Sequence, residues 1–150
     1  MGIGTWCERS VVTCGRDAPV LTLARLMRDQ HVGDVVVVDE VLGGRPQPVG
    51  IVTDRDLVVR VLAMGVAGEA LRAGDLLVHP LVTAHEDEDL GQAVWRMRTG
   101  GVRRLPVVDS EGGLVGVLTA DDVTRHLAEK LGDVAHIVPR QLVKEQTALD

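Results

Sequence analysis

The sequence predicts a mixed α/β fold of the α+β kind, in which two βαββα repeats pack sheet to sheet with pseudo-two-fold symmetry. Three observations predict it. The order of apolar residues recurs once along the chain, and each copy contains helix-like and strand-like apolar patterns. A copy of about 60 residues also has only marginal stability on its own. With 150 residues, of which 45% are hydrophobic, two packed copies can share an adequate core.

The repeat is visible in the spacing of equivalent residues. The first copy starts at Val12 and the second at Val82, seventy positions later. The same offset holds up to the aspartate that ends each branched apolar run. It then falls to 66, so that Gly50 corresponds to Gly116. The change falls where a turn can absorb a difference in length.

The elements of the first copy follow from local patterns. Apolar residues at positions 20, 23, 24 and 27 lie on one face of a helix. The branched runs 35–38 and 49–52, separated by a Gly-containing turn, predict a two-stranded hairpin. A second helix then begins after Thr53 and has Leu57, Val61 and Leu62 as its apolar positions.

The second copy repeats these patterns. Positions 90, 93, 94 and 97 mark a helix, and the runs 105–108 and 114–118 mark a hairpin. Pro106 is expected near the start or at the edge of its strand, because proline cannot donate to a sheet. The final helix follows Thr119, with Val123, Leu127 and Leu131 as its apolar positions.

These patterns divide the chain into four parts. We predict a first repeat at 5–64, a linker with a short helix at 65–78, a second repeat at 79–131 and a C-terminal tail at 132–150. The tail is weakly helical and is predicted to break at Pro139. We interpret it as a packing arm or a dimer contact.

Composition excludes several classes of protein. The net charge is -6 and the chain has neither Phe nor Tyr, so we expect no nucleic-acid partner. There is no membrane-length apolar stretch and no secretion signal, which predicts a cytoplasmic protein with no membrane partner. Cys7 and Cys14 match no redox or zinc spacing and are expected to be reduced. The five histidines are scattered, so we predict no metal ligands.

One motif with chemical meaning occurs in both copies. Residues 50–56 (GIVTDRD) and 116–122 (GVLTADD) share the pattern Gly, two apolar residues, Thr, two variable residues and Asp. A helix start presents free N–H groups that suit phosphate, a Thr hydroxyl adds a donor, and a carboxylate one turn later accepts from ribose hydroxyls. The alternative is that Thr and Asp form only a capping box.

This doubled motif resembles a tandem pair of cystathionine-β-synthase (CBS) domains, the arrangement called a Bateman module. The likeness covers about residues 5–131. It implies that Thr53, Asp56, Thr119 and Asp122 line clefts between the repeats that bind adenosine derivatives. By similarity we assign an adenine slot, for which plain core packing is the alternative at each position. Its residues are Thr13, Val36, Thr83 and Pro106.

The resemblance also implies that basic residues near the motifs contact phosphate. Arg103 and Arg104 precede a strand of the second copy, where the first copy has Gly33 and Asp34. Within the motifs, Arg55 corresponds to Asp121. We therefore expect the Thr119 site to receive Arg103 from its own copy and Arg55 from the other. The Thr53 site would face Asp121, and we expect it to bind nucleotide more weakly.

The expected function is ligand sensing without catalysis, cofactor or metal. The ligand would be AMP, ADP, ATP or a related adenosyl compound. Two chains are expected to form a homodimer through the helical faces described above, and an unidentified effector protein would be regulated in trans. A structural module with empty or metal-responsive clefts is the alternative. An enzyme is disfavoured, because the sequence has no P-loop and no recognisable nucleophile motif.

Overall fold

The computed structural model describes residues 1–148 and contains two three-stranded sheets with the same topology. In each sheet the first strand runs parallel to the second, and the second runs antiparallel to the third. The strands of the first sheet are β1 (Thr13–Gly15), β2 (Asp34–Asp39) and β3 (Gln47–Thr53). Those of the second sheet are β4 (Ala84–His85), β5 (Arg104–Val108) and β6 (Leu114–Thr119).

The helices complete the predicted βαββα order in both repeats. The first repeat has α1 (Val20–Gln30) and α2 (Asp54–Asp56), which continues as a π-helix (Leu57–Leu62). The second repeat has α3 (Leu90–Gly100) and α4 (Ala120–Ala135), and α5 (Ile137–Thr147) follows it. No helix within residues 1–148 is long and apolar enough to cross a membrane.

The two sheets also share their register. Asp34 lies opposite Thr53 in the first sheet, and Arg104 lies opposite Thr119 in the second. A register shift follows at the same place in each sheet, between Val37 and Val38 and between the equivalent residues of β5. The strand pairing therefore fixes each motif threonine beside the residue that begins the middle strand of its sheet.

Sheet-to-sheet packing is confirmed by an apolar cluster between the repeats. Val36 and Val38 of β2 are buried against Val117 of β6, and Ile51 and Leu114 pack around them. Each repeat has a separate apolar core on the helical side of its sheet. Burial of branched side chains on both faces of these short strands explains their continuous apolar runs.

The segment that precedes each repeat packs on the other repeat. Ile3 is fully buried in the core of the second repeat, and the N–H groups of Glu8 and Val117 each donate to the other residue's carbonyl at 2.9 Å. Seventy positions later, Ala73 is fully buried in the core of the first repeat. The two repeats are therefore joined by exchanged segments as well as by their sheets.

Two predictions about helices are wrong. Val61 and Val123 are each only 7% exposed and Leu57 is half-buried, so these three residues pack into the cores instead of forming a surface. Their i, i+4 spacing directs them inward. The tail does not break at Pro139, which lies in the first turn of α5, where a missing N–H costs no helical hydrogen bond. Residues 149–150 of the predicted tail lie outside the described residues.

Candidate functional site

Both motifs form complete capping boxes. In the first, the Asp56 N–H donates to Thr53 Oγ1 at 3.2 Å and the Thr53 N–H donates to Asp56 Oδ2 at 2.8 Å. In the second, the matching distances for Thr119 and Asp122 are 3.1 and 3.0 Å. The capping role that the sequence offered as an alternative is thus realised at both sites.

Capping occupies only one oxygen of each motif carboxylate. The second oxygen of Asp56, Oδ1, lies 3.4 Å from Arg60 Nε. The equivalent oxygen of Asp122 accepts a hydrogen bond from Arg125. Since each arginine comes from the following turn of the same helix, it holds the carboxylate in place without blocking its cap. The outward oxygen of each carboxylate is therefore paired with an arginine and not with the cap.

The first cleft lies between the Thr53 motif and the second repeat. One cavity of about 140 Å³ and another of about 460 Å³ share Ile51, Val102 and Arg104 in their walls. The smaller cavity also contains Asp56, Arg60, Val82 and the chain from 76 to 81. The larger cavity also contains Thr53, Asp54, Arg55, Gly101 and Arg103.

The second cleft lies between the Thr119 motif and the first repeat. Its main cavity has a volume of about 120 Å³, and a hollow of about 40 Å³ also contacts Thr119. The main cavity is lined by Glu8, Ser10, Val11, Val12, Val32, Asp34, Val36, Val117 and Thr119. The hollow is lined by Arg103, Arg104, Thr119, Ala120 and Asp121.

One ion pair connects the clefts. Arg104 Nε lies 3.2 Å from Asp34 Oδ2, and these two residues occupy the same position in the two repeats. Arg104 lines the first cleft and the hollow beside Thr119, whereas Asp34 lines the second cleft. Burial raises the pKa of Asp34, Arg104 lowers it and Asp54 raises it, with a net upward shift.

Most residues of the predicted phosphate and ribose site do line the two clefts. They are Thr53, Arg55, Asp56, Arg103, Arg104 and Thr119. Asp122 is not among the residues that line the second cleft, and its carboxylate accepts a hydrogen bond from the Thr119 N–H in the capping box. The expected place of Arg55 is wrong: it lines the first cleft beside Thr53, because it lies within one turn of that threonine at the same helix start.

The predicted adenine slot is only partly assembled. Val36 lines the second cleft, whereas Pro106 is buried opposite Val117 in the sheet. Thr13 is exposed and Thr83 is half-buried, and the cleft walls are formed by their preceding residues. Sequence reasoning missed Val12 and Val82 as wall residues, although their offset of seventy marks them as equivalent.

A hollow larger than either cleft lies elsewhere. It has a volume of about 940 Å³ and is lined by residues 133–144 at the α4–α5 junction. Nearly all of the side chains there are exposed, so it is a surface groove and contains no motif residue. Among residues 1–148, no group of three His, Cys, Asp or Glu side chains is arranged to hold a metal ion.

Comparison with known proteins gives a consistent family assignment. A family profile described as "CBS domain" matches residues 3–63 and 73–129. The uncharacterized protein MK0525 of Methanopyrus kandleri is 35% identical over 123 residues, which cover 82% of this chain and 61% of that protein. Hypoxic response protein 1 of Mycobacterium tuberculosis is 33% identical over 119 residues, which cover 79% of this chain and 80% of that protein.

A solved structure supports the same relationship. The cytosolic domain of the Mg²⁺ channel MgtE, in complex with ATP, superposes with a TM-score of 0.68 and 28% identity. The match covers 83% of this chain and 48% of that one. The match to MK0525 likewise spans less than two thirds of that protein's length.

Proposed function

We propose that this chain, which belongs to the CBS domain family, is a non-catalytic sensor. It binds an adenine nucleotide or a related adenosyl compound between its two repeats. The observation that carries the proposal is the construction of the clefts. Each cleft combines a Thr-x-x-Asp motif from one repeat with an apolar wall from the other. Ligand in such a cleft contacts both repeats and so favours one arrangement of them.

The residues in the clefts suit the three parts of a nucleotide. The wall valines, represented by Val82 and Val12, offer a flat apolar surface to the base without any aromatic ring. The outward oxygen of Asp56, which lines the first cleft, accepts from ribose hydroxyls. Arginines at the rim of the first cleft attract phosphate. The structural relative MgtE, solved with ATP, supports this ligand class.

We also propose that two chains form a homodimer through the part of the predicted helical faces that stays exposed. Leu62 is 74% exposed and Leu131 is 70% exposed. Leu127, Val58 and Val59 are exposed on the same two helices. A second copy that covers apolar surface of this kind removes it from water and so stabilises the dimer. The module with bound ligand would then regulate an effector protein.

Thermal unfolding and calorimetry with AMP, ADP, ATP, NAD, S-adenosylmethionine and zinc test the proposed function. A ligand at a hundredfold excess over its Kd should stabilise the protein by about 2.7 kcal/mol. The double variant Asp56→Ala/Asp122→Ala should lose this effect. Asp89→Ala is the matched control, because Asp89 caps α3 by accepting from the Gln92 N–H at 2.8 Å. Stabilisation by zinc alone, or by no compound, would reject nucleotide sensing.

A further inference from the structure

The two clefts have equivalent walls but different charges. Val12 and Val82, Val32 and Val102, and Ile51 and Val117 occupy matching places in the two repeats and line opposite clefts. The same relation puts Asp34 where the other repeat has Arg104, and Asp121 where the other has Arg55. The apolar part of a ligand therefore meets a similar surface in both clefts, whereas its charged part does not.

The first cleft is the more cationic and the larger. Its walls contain four arginines and two aspartates, namely Arg55, Arg60, Arg103, Arg104, Asp54 and Asp56. The larger cavity of the first cleft, at about 460 Å³, falls within the range of about 300–1,000 Å³ that is usual for ligand pockets. Arg60, Arg103 and Arg104 each contact a carboxylate. Arg55, by contrast, has no ion-pair partner among residues 1–148 and can contact a phosphate placed there.

The second cleft is smaller and more anionic, because its only arginines, Arg103 and Arg104, also line the first cleft, and three carboxylates lie around them. Asp34 holds Arg104 at 3.2 Å, and Asp121 contacts Arg103 at 3.5 Å. Glu8 adds a third carboxylate, whose Oε1 accepts from the Ser10 N–H at 2.8 Å. The hollow beside Thr119 has a volume of only about 40 Å³. A phosphate there would face three carboxylates and would find no arginine without an ion-pair partner among residues 1–148.

We propose, on the basis of the nucleotide-sensing function above, that the clefts divide their ligands by charge. The first cleft binds an adenosine compound that carries a 5′-phosphate. The second cleft binds an adenosyl compound whose 5′ substituent is neutral or positively charged. Asp34 and Arg104 contribute to this specificity, because they are one of the two pairs of equivalent positions in the cleft walls with opposite charge and they contact each other between the clefts.

Calorimetry with AMP and adenosine, which differ only in the phosphate, tests the division. Arg55→Gln should weaken AMP binding about tenfold, since it removes one charged contact. It should leave adenosine binding unchanged within about twofold. Asp121→Asn is the matched control at the equivalent position and should not weaken AMP binding, because it removes a carboxylate that contacts Arg103. Both side chains are exposed, so both variants should fold.

A second pair of variants identifies the cleft. Val82→Phe fills the first cleft and should abolish AMP binding, whereas Val12→Phe fills the second and should leave AMP binding intact while removing an adenosine site. The double substitution Asp34→Arg/Arg104→Asp reverses the ion pair between the clefts. In that background, Val12→Phe should become the substitution that weakens AMP binding.

The outcomes separate this inference from the proposed function. If AMP binding is lost in Val12→Phe but retained in Val82→Phe, or if Arg55→Gln and Asp121→Asn weaken it equally, the division by charge is wrong and nucleotide sensing stands. If the wild-type chain binds neither AMP nor adenosine, both proposals are wrong. The exposed pair Arg55→Gln and Asp121→Asn decides the question even if a Phe variant fails to fold.

Discussion

The second repeat contains an ion pair where the first contains apolar side chains. Glu88 accepts two hydrogen bonds from Arg96, at 2.7 and 2.9 Å, and these residues correspond to Ala18 and Leu26 of the first repeat. Ala18 and Leu26 pack against the core of the first repeat. The comparison teaches that the repeats share their backbone register, whereas charge differs between them both here and at the clefts.

The largest expected effect tests whether the two repeats unfold as one unit. Leu23 lies in the core of the first repeat and Leu105 in that of the second, and both are fully buried. Replacing either by Ala should reduce the free energy of unfolding by about 2–5 kcal/mol. Since exchanged segments and the cluster between the sheets connect the cores, both variants should shift one common transition in urea.

The exposed Leu131→Ala is the control for these substitutions and should change stability by less than about 0.5 kcal/mol. Two resolved transitions, each moved by only one of the core substitutions, would contradict the single unfolding unit.

A smaller difference is expected at the equivalent motif glycines. A Cβ at Gly116 would lie 2.6 Å from the Glu8 carbonyl oxygen, which is backbone held by the pairing with Val117. A Cβ at Gly50 would instead meet the end of the Leu77 side chain, which can rotate away. Gly116→Ala should therefore cost about 1–3 kcal/mol in chemical denaturation. Gly50→Ala should cost less, and an equal or larger loss for Gly50→Ala would break the distinction.

The smallest effect concerns the ion pair of the second repeat. Burial raises the pKa of Glu88, but hydrogen bonds from Arg96 and the His85 N–H outweigh it, so the pKa lies below its usual 4.5. A carboxyl with a lowered folded pKa stabilises the protein above its unfolded pKa, and that contribution is lost as the pH falls through the folded value.

Glu88→Gln should therefore cost about 1–2 kcal/mol at neutral pH. The difference from the wild type should shrink below pH 4.5 when unfolding is measured across a pH series. Asp39→Asn, which removes the exposed partner of Arg16, is the control and should cost less. A difference that stays constant down to acidic pH would contradict the charged role of Glu88.

Much of the fold was predictable because the repeat is local and redundant. The offset of seventy between Val12 and Val82, together with the helical spacing of apolar residues, gives the order of strands and helices in both copies. The burial of Val61 and Val123 was not predicted correctly. Apolar spacing identifies one face of a helix without indicating whether the core or a second chain covers it.

The motif residues of the site were also predictable, but their partners across the clefts were not. Thr53 and Thr119 stand out because they recur in identical surroundings. Arg55 was expected across the cleft, although it lies beside Thr53 at the helix start that the two residues share. The choice of Val12 over Thr13 depends on which strand face meets the other repeat. Adjacent strand residues point to opposite faces, so an error of one position reverses the assignment.

The sequence by itself determined two βαββα units, their capped motifs and the places where their charges differ, because each of these depends on residues close together in the chain. The tertiary structure decided which charges meet. It brought Asp34 to Arg104, gathered the arginines at the first cleft and exchanged the segments before each repeat. Those contacts join residues that are far apart in sequence, and only the packing of one sheet on the other sets their distances.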